Sequence, residues 1–136
     1  MLFRSSLSPV ALDRPAAAGN GVTAEVVGLK AVTAKAQTPG SINGPALQAT
    51  VRLTNGTTGP LYLGGVAVEL AHGADLTPAS PNDDPRAKPF SGALAAGAST
   101  EGVYVFTIAV ADRDHVTLTV GYQAGAPFLV FTGSAR

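Results

Sequence analysis

From Leu47 to Thr54 the chain alternates without a break, with Leu47, Ala49, Val51 and Leu53 set against Gln48, Thr50, Arg52 and Thr54. Side chains on an extended backbone point to opposite faces in turn. Strict alternation over this length is therefore the pattern of an antiparallel strand with one dry and one wet face. The same period recurs elsewhere. Residues 22–27 and 29–34 form a first strand interrupted at Gly28, where a glycine implies a bulge or a switch between sheets. Val66, Val68 and Leu70 carry another strand, and residues 61–63 read as its beginning, thrown out of phase by Gly64 and Gly65. Tyr104, Phe106, Ile108 and Val110 make one apolar face, and Val116, Leu118, Val120 and Tyr122 make another. In the last strand Phe128, Val130 and Thr132 oppose Leu129 and Phe131, so both of its faces are apolar.

Turn chemistry separates these runs. Residues 37–45 and 55–60 are rich in Gly, Pro, Asn and Thr, and 73–92 is the longest irregular stretch, with prolines at 78, 81, 85 and 89. Residues 93–98 are too short and too interrupted by glycine for a helix. About seven short strands without a helix predict an all-β fold, an immunoglobulin-like antiparallel β-sandwich over residues 21–136. Residues 1–20 hold Ser-Ser-Leu-Ser-Pro and Asp13-Arg-Pro with no sustained period, and read as an N-terminal arm, either flexible or docked on a neighbour.

Composition narrows the function. The nine basic and nine acidic residues cancel and form no run, which excludes an electrostatic footprint for nucleic acid. Without cysteine there is no disulfide framework, thiolate metal site or cysteine catalysis. No stretch is long and apolar enough to span a bilayer, so no integral membrane segment is expected in this chain. Charged residues are 13%, about half of the ~25% of ordinary soluble domains, which suits an exported or assembled β protein.

Three segments carry a family resemblance: Leu47-Gln-Ala-Thr-Val-Arg-Leu-Thr-Asn-Gly56; Leu61-Tyr-Leu with Val66-Ala-Val-Glu-Leu; and Leu94-Ala-Ala-Gly-Ala-Ser-Thr-Glu-Gly-Val-Tyr-Val-Phe106. In order and turn pattern they resemble a bacterial family of immunoglobulin-like extracytoplasmic domains found in secreted proteins and lipoproteins. That family is similar in fold to the mycobacterial immunoprotective secreted antigens. Ala96 stands where the family usually has a proline. The resemblance implies a sandwich fold and export, with the signal or anchor lying outside this chain. It brings no catalytic residue.

The residues that could carry chemistry are few. Asp75, Asp83 and Asp84, with Asn82 and Arg86, sit in the 73–92 stretch. Loop carboxylates are the ligand type for Ca²⁺, but the spacing of a calcium loop is missing and Asp-Asp-Pro is also a turn sequence. Asp75, Asp83, Asp84 and Arg86 are therefore the binding candidates, and no metal site is predicted. Asp112-Arg-Asp-His115 lies between two strands, where a tight turn is required, and a histidine metal site would need His72 to converge on it. Asn55-Gly-Thr57 matches a glycosylation acceptor but reads as a hairpin turn. No nucleophile elbow or phosphate loop occurs. Glu25, Glu69 and Glu101 occupy strand patterns, where exposed face positions explain them. With no Trp and only Tyr62 as a surface aromatic, a sugar platform is absent.

The expectation is a non-catalytic extracytoplasmic interaction or structural module of a bacterial cell-surface or secreted protein. It needs no cofactor and takes no small-molecule ligand. The alternative is a particle-borne subunit of an ordered assembly, a filament or a virion surface, whose arm adds a strand to a neighbour. In either case the partner is a protein or a further copy.

Overall fold

The structure is a computed structural model and describes residues 9–17, 21–35, 44–82, 84–122 and 128–135. Twelve strands are present among them: β1 Val10–Ala11, β2 Ala16–Ala17, β3 Val22–Ala34, β4 Gly44–Asn55, β5 Leu61–Tyr62, β6 Ala67–His72, β7 Thr77–Pro78, β8 Ser80–Pro81, β9 Ala93–Leu94, β10 Ser99–Thr107, β11 Val116–Gly121 and β12 Leu129–Gly133. One sheet has the order β2-β3-β4-β10-β8 and the other β1-β12-β11-β6-β7, while β5 and β9 pair with each other. The runs β3-β4-β10-β8 and β6-β11-β12 reproduce the A-B-E-D and C-F-G sheets of an immunoglobulin constant-type sandwich. The chain is thus an all-β, immunoglobulin-like antiparallel sandwich whose seven defining strands are β3, β4, β6, β8, β10, β11 and β12.

Alternation puts the core where the sequence indicates. Leu47, Ala49, Val51 and Leu53 of β4 are fully buried, and so are Val116, Leu118 and Val120 of β11 and Leu129 and Phe131 of β12. They belong to one continuous apolar cluster filled from both sheets. Phe106 and Tyr122 add the largest side chains to it.

At Gly28 the first strand is bulged, with its register shifting between Val26 and Gly28, and it continues in the same sheet. The break at Gly64-Gly65 is different and corrects the expectation of a single bulged strand. Leu61–Tyr62 pairs with Ala93–Leu94 as a separate ribbon, a 3-10 turn covers Leu63–Gly65, and Ala67–His72 then joins the β1-β12-β11-β6-β7 sheet. The glycines lie in the link between that ribbon and the sheet. The 73–92 stretch, expected to be irregular, contains β7 and β8 and a bridge from Lys88 to Val103. Pro78 and Pro81 fall on the edge strands β7 and β8, where a missing N–H is tolerated, while Pro85 lies in a turn and Pro89 outside any strand. Val110 leaves the predicted apolar face, because it begins a 3-10 turn and is 55% exposed.

Within the predicted arm, β1 pairs in parallel with β12 and β2 pairs with β3, so residues 10–17 add an edge to each sheet of their own domain. Residues 1–8 and 18–20 lie outside the described residues.

Candidate functional site

The acidic candidates do not come together as one site. Asp84 and Arg86 form a closed unit, Asp75 lies exposed in the turn between β6 and β7, and Asp83 lies outside the described residues. Asp84 is almost inaccessible. Its Oδ1 accepts the Arg86 backbone N–H at 2.9 Å and Arg86 Nε–H at 2.8 Å. Its Oδ2 accepts Arg86 Nη2–H at 2.9 Å and the Lys35 backbone N–H at 2.7 Å. Two carboxylate oxygens have about four lone-pair positions between them, and protein donors fill all of them. The Arg86 guanidinium, followed by the backbone donors of Arg86 and Lys35, holds the Asp84 carboxyl well below the usual carboxylate range, although its burial works the other way. The same pairing raises Arg86.

The unit is a latch. Arg86 Nη2 also donates to the Thr33 carbonyl at 2.8 Å, so one side chain grips the end of β3. Asn82 Oδ1 accepts the Asp84 N–H at 3.0 Å, and Asn82 Nδ2 donates to Thr107 Oγ1 at 3.1 Å, which ties the same loop to β10. The loop lies across the outer face of its sheet, over a small second apolar cluster of Ala34, Ala46 and Val105 with Val32 and Ala87. Short-range sequence supplies the Asp-x-Arg pair. The backbone groups it holds are about fifty positions away, which is why the residues read as a loop cluster rather than a clasp.

The other constellations are similarly structural. His72 stands opposite Val116 on β11 and is half-buried, whereas His115 is exposed in the turn before that strand. No group of three or more His, Asp or Glu capable of holding a metal occurs among the described residues. Glu25 and Glu101 flank Arg52 across β3, β4 and β10 on the solvent face, at 3.4 Å and 2.8 Å. Asn55 is fully buried. Its Nδ2 donates to the Gly59 and Leu94 carbonyls, each at 2.9 Å, while its Oδ1 accepts from Thr57. Its amide is committed to structure, but the expected hairpin is corrected: β4 pairs with β3 and β10 and the following β5 with β9, so the segment after Asn55 joins strands that are not partners.

Two features were not visible in the sequence. Arg113, read there as part of a turn, is 5% exposed and donates from Nη2 to the Ala46 and Ile108 carbonyls, both at 3.2 Å. A groove of about 440 Å³ is lined by residues of β6, β7, β8, β10 and β11, among them Glu69, Leu70, Leu76, Pro78, Phe106 and Thr119. Leu76 is 54% exposed with φ 53°, a region that branched apolar residues seldom occupy. Both features need strands that are distant in sequence to become neighbours.

No protein-family model matches the sequence, and no curated protein does. Solved structures share its fold. The yjhA protein of Bacillus subtilis superposes with a TM-score of 0.73 at 13% identity, over 95% of this chain and 98% of its own. A Bacillus subtilis protein described as a "putative lipoprotein" (ycdA) does so at 0.68 and 15% identity. That match covers 93% of this chain, which spans only 39% of the ycdA chain. An uncharacterised β-sandwich protein of Clostridium difficile gives 0.53 at 8% identity, over 97% of each chain. The likeness is one of fold, and the class it defines is a β-sandwich domain of a kind present in bacterial proteins.

Proposed function

We propose that this chain is a non-catalytic extracytoplasmic module of a bacterial cell-surface or secreted protein, working through protein contacts. The observation that supports the reading is the match of 93% of this chain to 39% of a longer chain described as a "putative lipoprotein". The matched region is less than half of that chain, as expected where such a fold serves as one module of a longer protein. The sequence resemblance to immunoglobulin-like extracytoplasmic domains points the same way. The low content of charge and the commitment of Asp84 and Asn55 to internal hydrogen bonds also favour a scaffold over a reaction centre.

The test is the location of the native full-length protein. Protease added to intact cells is expected to remove the domain, and fractionation to place it with envelope or culture medium. A protein that stays with the cytoplasm and resists external protease until lysis overturns the reading.

A further inference from the structure

Among the described residues, one sheet edge is open beside a largely apolar groove. On β3 only Thr23 and Ala24 are paired outwards, with β2, and the Thr33 carbonyl is taken by Arg86. The segment between has no outer partner among the described residues. Its hydrogen-bonding direction follows from the ladder. Val103 exchanges both backbone bonds with Lys88 on one side, so Thr50, opposite it on β4, turns its own groups towards β3. The partners Gly28, Lys30 and Val32 therefore face into the sheet, and Leu29 and Ala31 present N–H and C=O to the open edge.

The side chains of those residues face the interior side, since Leu29 pairs with Ala49 and Ala31 with Leu47. Yet Leu29 is only half-buried and Ala31 is exposed. With Val26 and Val27 they line a groove of about 380 Å³, which Leu12, Asp13, Ser134 and Ala135 also border. Free backbone donors and acceptors running beside an apolar groove accept a further strand, whose alternate side chains fill the groove.

We propose that residues 1–8 of a second copy add as this strand, placing Phe3 and Leu7 in the groove. This rests on the module reading above and names its partner. The eight residues before Pro9 reach about 27 Å when extended, the length of the open stretch from Glu25 to Val32. Phe3, Ser5 and Leu7 share one face of an extended chain. A second copy is required by direction. β1 runs in parallel with β12 and reaches the groove only beyond its end, at Leu12 and Asp13, so Pro9 and Val10 stand on the side away from the groove. The domain's own arm would spend several residues on reversing before it could pair.

Sedimentation velocity on the full chain, on a chain lacking residues 1–8, and on Ala31→Pro decides the matter, with circular dichroism to establish folding. Proline at 31 removes an N–H from the open edge while leaving the β4 ladder its bonds. The full chain is expected to self-associate, and both variants to stay folded and monomeric. A synthetic peptide of residues 1–8 added to the shortened chain is expected to slow amide exchange at Leu29 and Ala31 by about tenfold or more. A full chain that is monomeric at every concentration overturns the proposal, as does association that survives the deletion. Protection of Leu29 and Ala31 within a monomer also overturns it, by showing the domain's own arm in the groove. These outcomes are independent of cellular location, on which the module reading stands or falls.

Discussion

Asp84 shows how a side chain with the look of a ligand becomes part of a scaffold. Its carboxylate is saturated by donors from Arg86 and Lys35. Replacing it by Asn keeps the shape and loses the charge-assisted bonds, which are worth about 1.5–3 kcal/mol each in favourable settings. A loss of about 2–3 kcal/mol at neutral pH is expected for Asp84→Asn, measured by urea unfolding. Because the folded carboxyl titrates below its ordinary value of about 3.9, its contribution is complete above that pH and drains away as pH falls towards the folded value. The gap between the original protein and Asp84→Asn should therefore hold from neutral pH to about pH 4 and shrink as pH falls below that. A gap that stays constant below about pH 4 would show that charge is not what Asp84 supplies. Calcium has no free oxygen to bind there, so the thermal midpoint should be the same in calcium and in chelator. A rise with calcium contradicts the latch.

At the scale of elements, glycine and an aromatic ring cooperate on β10. Phe90 lies over Gly102, where an added Cβ would sit 3.0 Å from its ring, and the Phe90 N–H donates to the Tyr104 hydroxyl at 3.1 Å. The two rings are tilted at 51° with centroids 5.9 Å apart, and burial raises the Tyr104 hydroxyl above its ordinary pKa. Gly102→Ala should cost about 1–3 kcal/mol by overpacking, and less when Phe90 is changed to Leu. Additive losses in that double-mutant cycle would remove the ring as the cause. Elements were legible in proportion to their length. β4 and β11 carry enough alternation to be read directly. A broken period at Gly64-Gly65 looks the same whether the chain bulges or changes sheet, and two-residue strands such as β7 and β8 contain no period. The latch fared similarly. Its residue types stand out in the sequence, but its role depends on Lys35 and Thr33, which only the fold brings near.

For the whole molecule, the decisive fact is that both sheets fill one core. Neither layer can keep its apolar face dry alone, so the sandwich should unfold as a unit. Leu118→Ala, at a fully buried position of β11, should lower stability by about 3–5 kcal/mol. Far-UV dichroism and near-UV tyrosine signals should shift together, since Tyr104 reports on one sheet and Tyr122 lies at the end of a strand in the other. Separate transitions would mean that the layers fold independently.

The buried turn at Asn55 has a chemical consequence over long times. An Asn-Gly sequence ages when the glycine nitrogen attacks the asparagine side-chain carbonyl, closes a succinimide and releases ammonia. Here the Gly56 N–H donates to the Gly21 carbonyl at 2.8 Å, and the Asn55 amide is held by Gly59, Leu94 and Thr57. The nucleophile and its target are each tied to something else, so cyclisation must wait for the turn to open. Isoaspartate at position 55 would then accumulate at a rate set by opening rather than by the intrinsic chemistry of the dipeptide, a slow record of how often this end of the sandwich comes apart.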